Sequence, residues 1–324
     1  MEVLTEGKGV IKPVDPDGFR EWVRTHKARG MVPKLMSERE AIARFVEDGD
    51  YLVYDCEYLH RGPAALEREL MRQGKKGLWV CGKFTYVDVA LLVAAGCVRR
   101  VDVGFFGPGP AVTRAVLEGR VEMFEYSNVV LTARLRAGAM GVPFLPIRSF
   151  GGTTGFQHSG AKVVRDPFTG QPTLIVPALN PDVALIHVHQ ADIYGNARVF
   201  GTDIAHREAA LASRKVILSA EEIIDTEEFR RNPGLTTIPF FVVDAVVHAP
   251  FGAYPGECPG YYTIDGEHVR EVFGAVRGRG DIRAYMEKWV YSVASHQEML
   301  EKRVGVGRLL ALKGRATIRE GYRV

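Results

Sequence analysis

Short apolar runs that alternate with amphipathic stretches are the feature that most restricts how this chain of 324 residues can fold. YLVYDC (51–56) precedes ALERELMRQG (65–74), and GLWVCG (77–82) precedes VDVALLVAAG (87–96). Brief runs of β-branched and apolar residues predict buried strands, whereas a 3.6-residue period predicts helices. The alternation therefore predicts βαβ units, which give an α/β fold with an open, mostly parallel sheet and helices on both faces.

The domain organisation follows from where this pattern begins and ends. Residues 1–36 show no sustained apolar period, so we expect an N-terminal arm that lies on the surface. Ser37, in S-E-R-E, predicts the N-cap of the first helix of the folded unit. We expect a single α/β domain over residues 37–324 with a C-terminal helical segment at 281–303. One face of that segment carries the apolar side chains Tyr285, Trp289, Val290 and Val293.

Charge and hydropathy exclude several classes of protein. The formal net charge is +3, and basic residues are mixed with acidic ones, which disfavours nucleic acid or a membrane surface as a partner. No apolar stretch is long enough to cross a bilayer, and the N-terminus lacks the order of a secretory signal. We therefore expect a cytoplasmic protein without a membrane span.

The four cysteines are distant from one another and form no C-x-x-C pair. They are Cys56, Cys81, Cys97 and Cys258. In a cytoplasmic chain of this size the spacing favours reduced thiols over a disulfide or zinc framework.

Two histidines lie one residue apart in DVALIHVHQ (182–190), which is predicted to be a buried strand. Alternate side chains of a strand share a face, so His187 and His189 point the same way. A metal site needs a third or fourth ligand, and no H-E-x-x-H motif stands nearby, so we expect no metal. The alternatives are imidazoles that support the end of the sheet by hydrogen bonding and imidazoles that contact a substrate there.

The glycine-rich loop GGTTG (151–155) follows a predicted strand. Its backbone N–H groups are suited to hold an anion or a thioester oxygen. The loop matches neither the P-loop nor the dinucleotide-binding fingerprint, which disfavours a nucleotide enzyme.

Glu57 and Glu125 follow predicted strands and are candidate carboxylate nucleophiles or bases, although most glutamates are solvated or paired charges. No serine stands in a G-x-S-x-G elbow, which disfavours a serine hydrolase.

Five blocks of sequence, in order from about residue 37 to about residue 310, strongly resemble the A (α) chain of glutaconate CoA-transferase and its relatives among the family I CoA-transferases. The blocks are RGPAALERELMRQGKKGLWV, FEYSNVVLTARLRAGAMGVPFLPIRSFGGTTG, PDVALIHVHQADIYGNARVFG, SAEEIIDTEEFRRNPGLTTIPFFVVDAVVHAPFGAYPGECPGYY and EKWVYSV. The resemblance implies an α₂β₂ or related assembly with a separate B chain. It also implies that CoA moves from an acyl-CoA to a small carboxylate or dicarboxylate through a glutamyl-CoA thioester.

In the glutaconate enzyme the nucleophilic glutamate belongs to the B chain, so the resemblance implies that this A-type chain shapes the acyl pocket. We expect substrate binding by Gly151, Gly152, Thr153, Thr154, His187 and Gln190. Coenzyme A would be a substrate, and no cofactor is expected. The second histidine of IHVHQ is not kept in the glutaconate enzyme, which argues against a metal pair.

One departure from the family keeps other functions open. Relatives commonly have Gly-Gly-Phe after the first strand, where this chain has Tyr54-Asp55-Cys56-Glu57. Bulky and charged groups there put glutaconate itself in doubt as the substrate. An alternative is a CoA-thioester or ring-opening hydrolase that uses a glutamate of this chain, with Glu125 the first candidate. A further alternative is a non-catalytic chain with a structural role.

Overall fold

A computed structural model describes residues 1–55, 58–107, 109–201 and 203–316. Cys56, which is predicted to be a reduced thiol, and Glu57, a candidate nucleophile, lie outside these residues. None of the helices within the described ranges is long and apolar enough to cross a membrane.

The larger of two sheets has eight strands, of which seven form one continuous parallel ladder. In spatial order these are β12 (Ala245–His248), β11 (Lys215–Ile223), β9 (Val183–Ala191), β2 (Tyr51–Tyr54), β3 (Leu78–Thr85), β4 (Val98–Phe106) and β5 (Glu122–Glu125). The short β10 (Ala197–Arg198) returns antiparallel to β9. The predicted α/β class with a mostly parallel sheet is confirmed.

Side chains alternate between the two faces of this sheet, and each face carries its own core. Leu52 and Tyr54 pack into one apolar cluster, and Tyr51 and Val53 pack into the other. Both faces must be apolar because helices cover each of them. The first core includes the C-terminal residues Tyr285, Trp289, Val290 and Val293, as their predicted common face requires.

The described helices overlap the stretches 65–74 and 87–96, which the sequence predicts to be helical. They are α1 (Pro16–His26), α2 (Glu38–Phe45), α3 (Ala64–Arg72), α4 (Val87–Ala94), α5 (Gly109–Leu117), α6 (Asn128–Met140), α7 (Thr154–Gln157), α8 (His206–Ala212), α9 (Thr226–Arg231), α10 (Gly266–Val276), α11 (Ile282–Met286), α12 (His296–Met299) and α13 (Val306–Ala316). The Ser37 side chain accepts a hydrogen bond from Glu40 N, which confirms the predicted N-cap. Short 3₁₀ turns cover Pro233–Leu235 and Phe240–Val242, and π-helical turns follow α11 at Glu287–Tyr291 and α12 at Leu300–Val304.

A second sheet of four antiparallel strands stands beside the parallel one, in the order β1 (Val3–Glu6), β7 (Lys162–Arg165), β8 (Pro172–Pro177) and β6 (Phe144–Ile147). Strand β1 comes from the segment 1–36, in which β1 is exposed throughout and α1 buries no residue, whereas the side chains of Lys27 and Lys34 are buried. Near its end this segment joins the larger sheet, because Leu35 bridges to Val246. The arm is therefore fixed to both sheets by backbone pairing.

Candidate functional site

The strand order reverses between β2 and β9. From β2 the chain moves outward through β3 and β4 to β5, whereas β9 lies on the opposite side of β2. In open α/β sheets, ligands bind beyond the carboxyl ends of the strands at such a switch point. The polar side chains that gather there define the candidate site.

Asp55 is the centre of a buried charge cluster at this point. Its carboxylate accepts a hydrogen bond from Arg61 Nη2 at 2.6 Å and one from Ala205 N at 3.0 Å. Lys83 Nζ lies 3.5 Å from its Oδ1, and all three charged side chains are 1% exposed. Burial by itself would raise the pKa of Asp55, but the charges of Lys83 and Arg61 hold this pKa well below its usual range. Asp55 is therefore an anion that its neighbours neutralise.

Strand register explains why Asp55 and Lys83 meet. Val53 faces Cys81 and Tyr54 faces Gly82 in the parallel β2–β3 ladder, so the next positions along the two strands are 55 and 83. Both continue the row of side chains that includes Val53 and Cys81, on the face covered by α6 and α8. The apolar row thus ends in an ion pair.

Arg61 connects the end of β2 to β9. Its Nη2 binds Asp55, while its Nη1 donates to the carbonyl oxygen of His187 on β9 at 2.8 Å. The residue has a φ of 50°, a left-handed conformation that non-glycine residues seldom adopt. The guanidinium thereby holds the β2 loop against β9 at the switch point.

Lys83 and His206 are buried, yet neither side chain makes a hydrogen bond within the described part of the chain. His206 Nδ1 lies 3.3 Å from Asp203 Oδ1 and 3.9 Å from Asp55 Oδ2. Burial lowers the pKa of His206, which keeps the imidazole neutral at pH 7. An ammonium with three donors and only an ionic contact retains the capacity to bind an acceptor.

His187 and His189 lie on the same face of β9, as predicted, and both are buried. His187 Nε2 donates to Glu221 Oε1 at 2.7 Å, and its Nδ1 lies 2.9 Å from Ser219 Oγ. Phe200 N donates to His189 Nδ1, and His189 Nε2 donates to Pro259 O at 2.9 Å. Burial lowers the pKa of His189 to about 4, so this ring is neutral at pH 7. Both rings are engaged by protein groups, as expected of residues that support the site.

Glu221 fixes the segment 251–262 onto the end of the sheet. Besides His187, it accepts hydrogen bonds from Phe251 N at 2.7 Å, Gly252 N at 3.2 Å and the Tyr262 hydroxyl at 2.6 Å. A Cβ atom at Gly252 would lie 2.5 Å from His187 Cε1, so glycine permits this close approach. The oxygens of this carboxylate are occupied by structural hydrogen bonds.

Potential metal ligands come together in a set that the sequence did not reveal. The ligand atoms of His187, Glu221 and Cys258 lie within 4.8 Å of one another. Histidine, carboxylate and thiolate are all zinc ligands. The hydrogen bonds of His187 and Glu221 account for the arrangement of these two residues without an ion. Sequence reasoning missed the set because the three residues come from distant parts of the chain.

Gln190, a predicted substrate-binding residue, lies on the opposite face of β9 from the histidines. Its Nε2 donates to Glu222 Oε2 at 3.0 Å, and the Tyr261 hydroxyl donates to the same oxygen at 2.9 Å. Gln190 is only partly buried, so a substrate can still reach it. Its role in substrate binding stays a prediction.

The loop Gly151–Thr154 lies apart from the switch point. It follows β6 of the antiparallel sheet, and α7, which it precedes, contacts the edge strand β5. Thr153 caps α7 by accepting from Phe156 N at 3.1 Å. The N–H groups of Gly151 and Gly152 donate to no carbonyl within the described ranges. These N–H groups keep the donor capacity that the sequence predicts, and their use stays a prediction.

Glu125 ends β5 and is exposed, and its side chain makes no hydrogen bond to a described residue. Four strand spacings separate β5 from β9, about 19 Å at 4.8 Å per spacing. The structure therefore groups the predicted site residues into two regions: His187 and Gln190 at the switch point, and Glu125 with the glycine loop at the sheet edge.

Sequence reasoning did not assign three charged residues of the cluster to the site: Arg61 and Lys83 were not singled out, and Asp55 was noted only as a charged departure from the family pattern. A signal for two of them exists, because YLVYD and WVCGK each place a charge in phase with the buried residues of a strand. No local pattern marks Arg61, whose partners include Asp55 and a carbonyl of β9.

Comparison with known proteins finds a matching family and several relatives of this chain. The family model for coenzyme A transferase matches residues 35–249. An uncharacterized protein of Archaeoglobus fulgidus is 41% identical over 99% of this chain and 73% of its own length. The A chain of glutaconate CoA-transferase from Acidaminococcus fermentans is 31% identical over 86% of this chain and 94% of its own length. The IpdA chain of the cholesterol ring-cleaving hydrolase of Mycobacterium tuberculosis is 34% identical over 60% of this chain and 72% of its own length.

Solved structures agree with these matches. Glutaconate coenzyme A-transferase of A. fermentans aligns with a TM-score of 0.83 at 30% identity and covers 90% of this chain and 98% of its own. The decarboxylase AibA/AibB, in its C56S variant, aligns with a TM-score of 0.69 at 32% identity and covers 78% of this chain and 97% of its own. The resemblance stated from the sequence is thus confirmed. This chain belongs to the coenzyme A transferase family.

Proposed function

We propose that this chain is the A-type (α) component of a two-chain acyl-CoA:carboxylate CoA-transferase whose nucleophilic glutamate belongs to a partner B chain. The similarity to the A chain of glutaconate CoA-transferase, over 86% of the present chain, supports the class of reaction and the need for a partner. The donor and the acceptor are an acyl-CoA and a small carboxylate or dicarboxylate.

The hydrogen bonds of the carboxylates at the switch point support the assignment of the nucleophile to a partner chain. Asp55 is neutralised by Arg61 and Lys83, Glu221 accepts four hydrogen bonds, and Glu222 accepts from Gln190 and Tyr261. A nucleophilic carboxylate must leave a lone pair free to reach the thioester carbon. Protein donors occupy both oxygens of Asp55 and of Glu221, whereas both donors of Glu222 bind Oε2 and leave its Oε1 open. We therefore assign the nucleophile to the partner on the similarity to the A chain of glutaconate CoA-transferase together with the committed Asp55 and Glu221.

The reaction balances without an added acid or base. The partner's glutamate attacks the acyl-CoA carbonyl, expels CoA thiolate and forms a mixed anhydride. The thiolate then attacks the glutamyl carbonyl of the anhydride, which releases the donor acid and leaves a glutamyl-CoA thioester. The acceptor carboxylate attacks this thioester, and the returning thiolate cleaves the second anhydride to give the new acyl-CoA and free glutamate.

We assign the open N–H groups of the loop Gly151–Thr154 to contact with acyl-CoA. Gly152 has a φ of 76°, and Phe150 before it has a φ of 86°, which non-glycine residues seldom adopt. Strained backbone of this kind clusters where a chain contacts ligands. Backbone donors are suited to a thioester oxygen that gains negative charge as the carbonyl is attacked.

Co-expression with a B-type chain followed by a CoA-exchange assay across carboxylates tests the function. We expect acyl-CoA of the acceptor to form with ping-pong kinetics, and borohydride reduction of the thioester intermediate to modify the partner chain. Modification of a glutamate in this chain would contradict the proposal. Transfer by this chain alone, at the rate of the pair, would also contradict it.

The alternative function is hydrolysis of a CoA thioester or opening of a CoA-linked ring by a glutamate of this chain. The similarity to the IpdA chain of the ring-cleaving hydrolase favours it, as does the exposed, unbonded side chain of Glu125. Release of free CoA from the pair without any acceptor acid, abolished by Glu125→Gln, would establish the hydrolase. Retention of full transfer activity in Glu125→Gln supports the transferase.

A further inference from the structure

A cavity of about 620 Å³ opens beside Lys83 on the face of the sheet covered by α6. Much of its wall is apolar and comes from separate elements: Val129, Ala133 and Met140 from α6, Leu145 from β6, and Ile204 from the segment before α8. The polar residues Thr132 and Arg136 of α6 also line it. A volume of this size is within the range of pockets that bind small organic ligands. The cavity is thus large enough for a short carbon chain.

Lys83 supplies the polar end of this cavity. The side chain is 1% exposed, and its ammonium makes no hydrogen bond to a described residue, although it lies 3.5 Å from Asp55 Oδ1. A buried donor without an acceptor costs about 1–3 kcal/mol, more for a charged group. A bound anion would supply the missing acceptor.

The charges around Lys83 determine what kind of anion fits. Lys83 and Arg61 each contribute one positive charge and Asp55 contributes one negative charge, while burial keeps His206 neutral. The buried cluster therefore carries one excess positive charge, and the exposed Arg136 adds a second cation at the wall of the cavity. A monoanionic carboxylate beside Lys83 is compensated by the excess charge of the buried cluster.

A second polar atom points to the same kind of ligand. Asn128 lies at the start of α6, lines the cavity and has a buried Oδ1 without a hydrogen-bond donor in the described ranges. An amide has both donor and acceptor atoms, so Asn128 can donate its Nδ2 to a carboxylate oxygen after a flip of its amide. Val129 and Met140, at 63% and 58% exposed, leave an apolar entrance for a hydrocarbon tail.

We propose that this cavity binds a carboxylate with a short apolar body, that Lys83 anchors the carboxylate, and that the wall at Ala133 limits the length of the body. The proposal rests on the transferase function above, because it identifies which part of this chain holds an organic acid substrate. It makes Lys83 a binding residue and leaves the covalent chemistry with the partner's glutamate.

Calorimetric titration of the full chain with hexanoate tests this site directly. We expect hexanoate to bind, hexanamide of the same shape to bind about tenfold more weakly or not at all, and adenosine 3′,5′-bisphosphate not to compete. Equal affinity for hexanoate and hexanamide would contradict the role of Lys83 as the anchor of the carboxylate. Competition by the bisphosphate would assign the site to the phosphates of CoA instead.

Three variants distinguish the loss of the carboxylate anchor from a loss of folding. Lys83→Met removes the charge, and Ala133→Phe fills the cavity without altering any charge, so each should weaken hexanoate binding about tenfold or more. Lys162→Met is the control, since Lys162 is 42% exposed on β7 and pairs with Glu6. If Lys83→Met does not fold by circular dichroism, Ala133→Phe decides: unchanged binding in that variant contradicts the proposal.

Failure of this site and failure of the proposed function give different results. Hexanoate binding that depends on Lys83, in a pair that transfers no CoA, would refute the transferase and leave the site intact. CoA transfer to short-chain acids with an unchanged KM in Lys83→Met would refute the site and leave the transferase intact.

Discussion

Asp55 and Lys83 face each other one residue beyond the last paired positions of β2, with Oδ1 and Nζ 3.5 Å apart and both side chains 1% exposed. The pair forms where the order of strands reverses, so the ion pair and the switch point coincide. Buried charges are costly unless paired, so this cluster must stabilise itself before it can hold a ligand.

The first prediction concerns the charge balance of this cluster. Asp55→Asn leaves Lys83 and Arg61 without their anion and should lower the free energy of unfolding by about 3–5 kcal/mol. Because the pKa of Asp55 is depressed in the folded state, its stabilisation is present above pH ~4 and is lost on acidification. Urea unfolding measures the effect. Glu118→Gln, at an exposed pair with Arg120, should change stability by less than about 0.5 kcal/mol. An equal response of the two variants would contradict the prediction.

A second buried pair gives a matched test on one helix. Arg134 is 0% exposed, donates to Asp102 at 2.9 Å and lies over the Tyr126 ring at 4.5 Å. Arg134→Leu leaves the buried Asp102 carboxylate without its countercharge and should lower the free energy of unfolding by about 3–5 kcal/mol. Arg136→Leu, on the exposed side of the same helix, should cost less than about 0.5 kcal/mol. Thermal and urea unfolding of both variants distinguish the two, and similar losses would show that Arg134 is not a buried countercharge.

The sequence predicted those parts of the fold whose signal is periodic and local. Ser37 caps α2, as predicted, because side-chain capping depends on neighbouring residues alone. Strand β1 was not predicted because all four of its residues are exposed and carry no apolar alternation. The apolar run FFVVDAVVH (240–248) does not show where its strand begins: Asp244 accepts from Val216 N and separates a 3₁₀ turn from β12.

The site was less predictable than the fold because its contacts are long-range. The shared face of His187 and His189 follows from strand alternation and was predicted correctly. The partner of His187 at Glu221 depends on the register of β9 with β11. Arg61 binds Asp55 and β9 from a left-handed turn, which no residue pattern announces.

A third prediction concerns the close packing of Gly252 on His187. A Cβ atom there would lie 2.5 Å from His187 Cε1 and 2.7 Å from Ala249 O, so Gly252→Ala must displace the imidazole or the backbone. We expect a loss of about 1–3 kcal/mol in unfolding free energy. Gly274→Ala, in helix α10 with open space around its Cβ position, should instead stabilise by up to about 1 kcal/mol. If urea unfolding shows changes in unfolding free energy of opposite sign for the two variants, the close packing of Gly252 on His187 is supported. Changes of the same sign would contradict it.

A fourth prediction concerns the pH dependence of stability. Burial raises the pKa of Asp88 to about 6, against the opposing hydrogen bond from Tyr86 N to Asp88 Oδ1. A raised carboxyl pKa means that the folded state binds the proton more tightly than the unfolded state. The stabilisation is therefore full below pH ~4 and is lost as pH rises through about 6.

Asp88→Asn mimics the protonated carboxyl and should remove this dependence. The stability of the native chain relative to the variant should fall by at most about 3 kcal/mol between pH 4 and 7, since a shift of one pKa unit corresponds to about 1.4 kcal/mol. Urea midpoints at several pH values measure the difference, and all other titrating groups are common to both proteins. Parallel pH profiles would show that Asp88 does not titrate differently in the folded state.

The last prediction tests the glycine loop at the sheet edge. Valine at Gly152 would add backbone strain at a φ of 76°, so it cannot separate folding from binding. Gly151 has no positive φ, and its Cβ position meets only Leu174 Cδ1 at 3.4 Å, so Gly151→Tyr should fold normally. If acyl-CoA contacts the N–H groups of Gly151 and Gly152, the tyrosine ring should lower kcat/KM about tenfold in the pair with its B chain. Gly30→Tyr, at an open position of the N-terminal segment, is the control and should keep full activity. Equal values of kcat/KM in the two variants would show that the loop does not contact acyl-CoA.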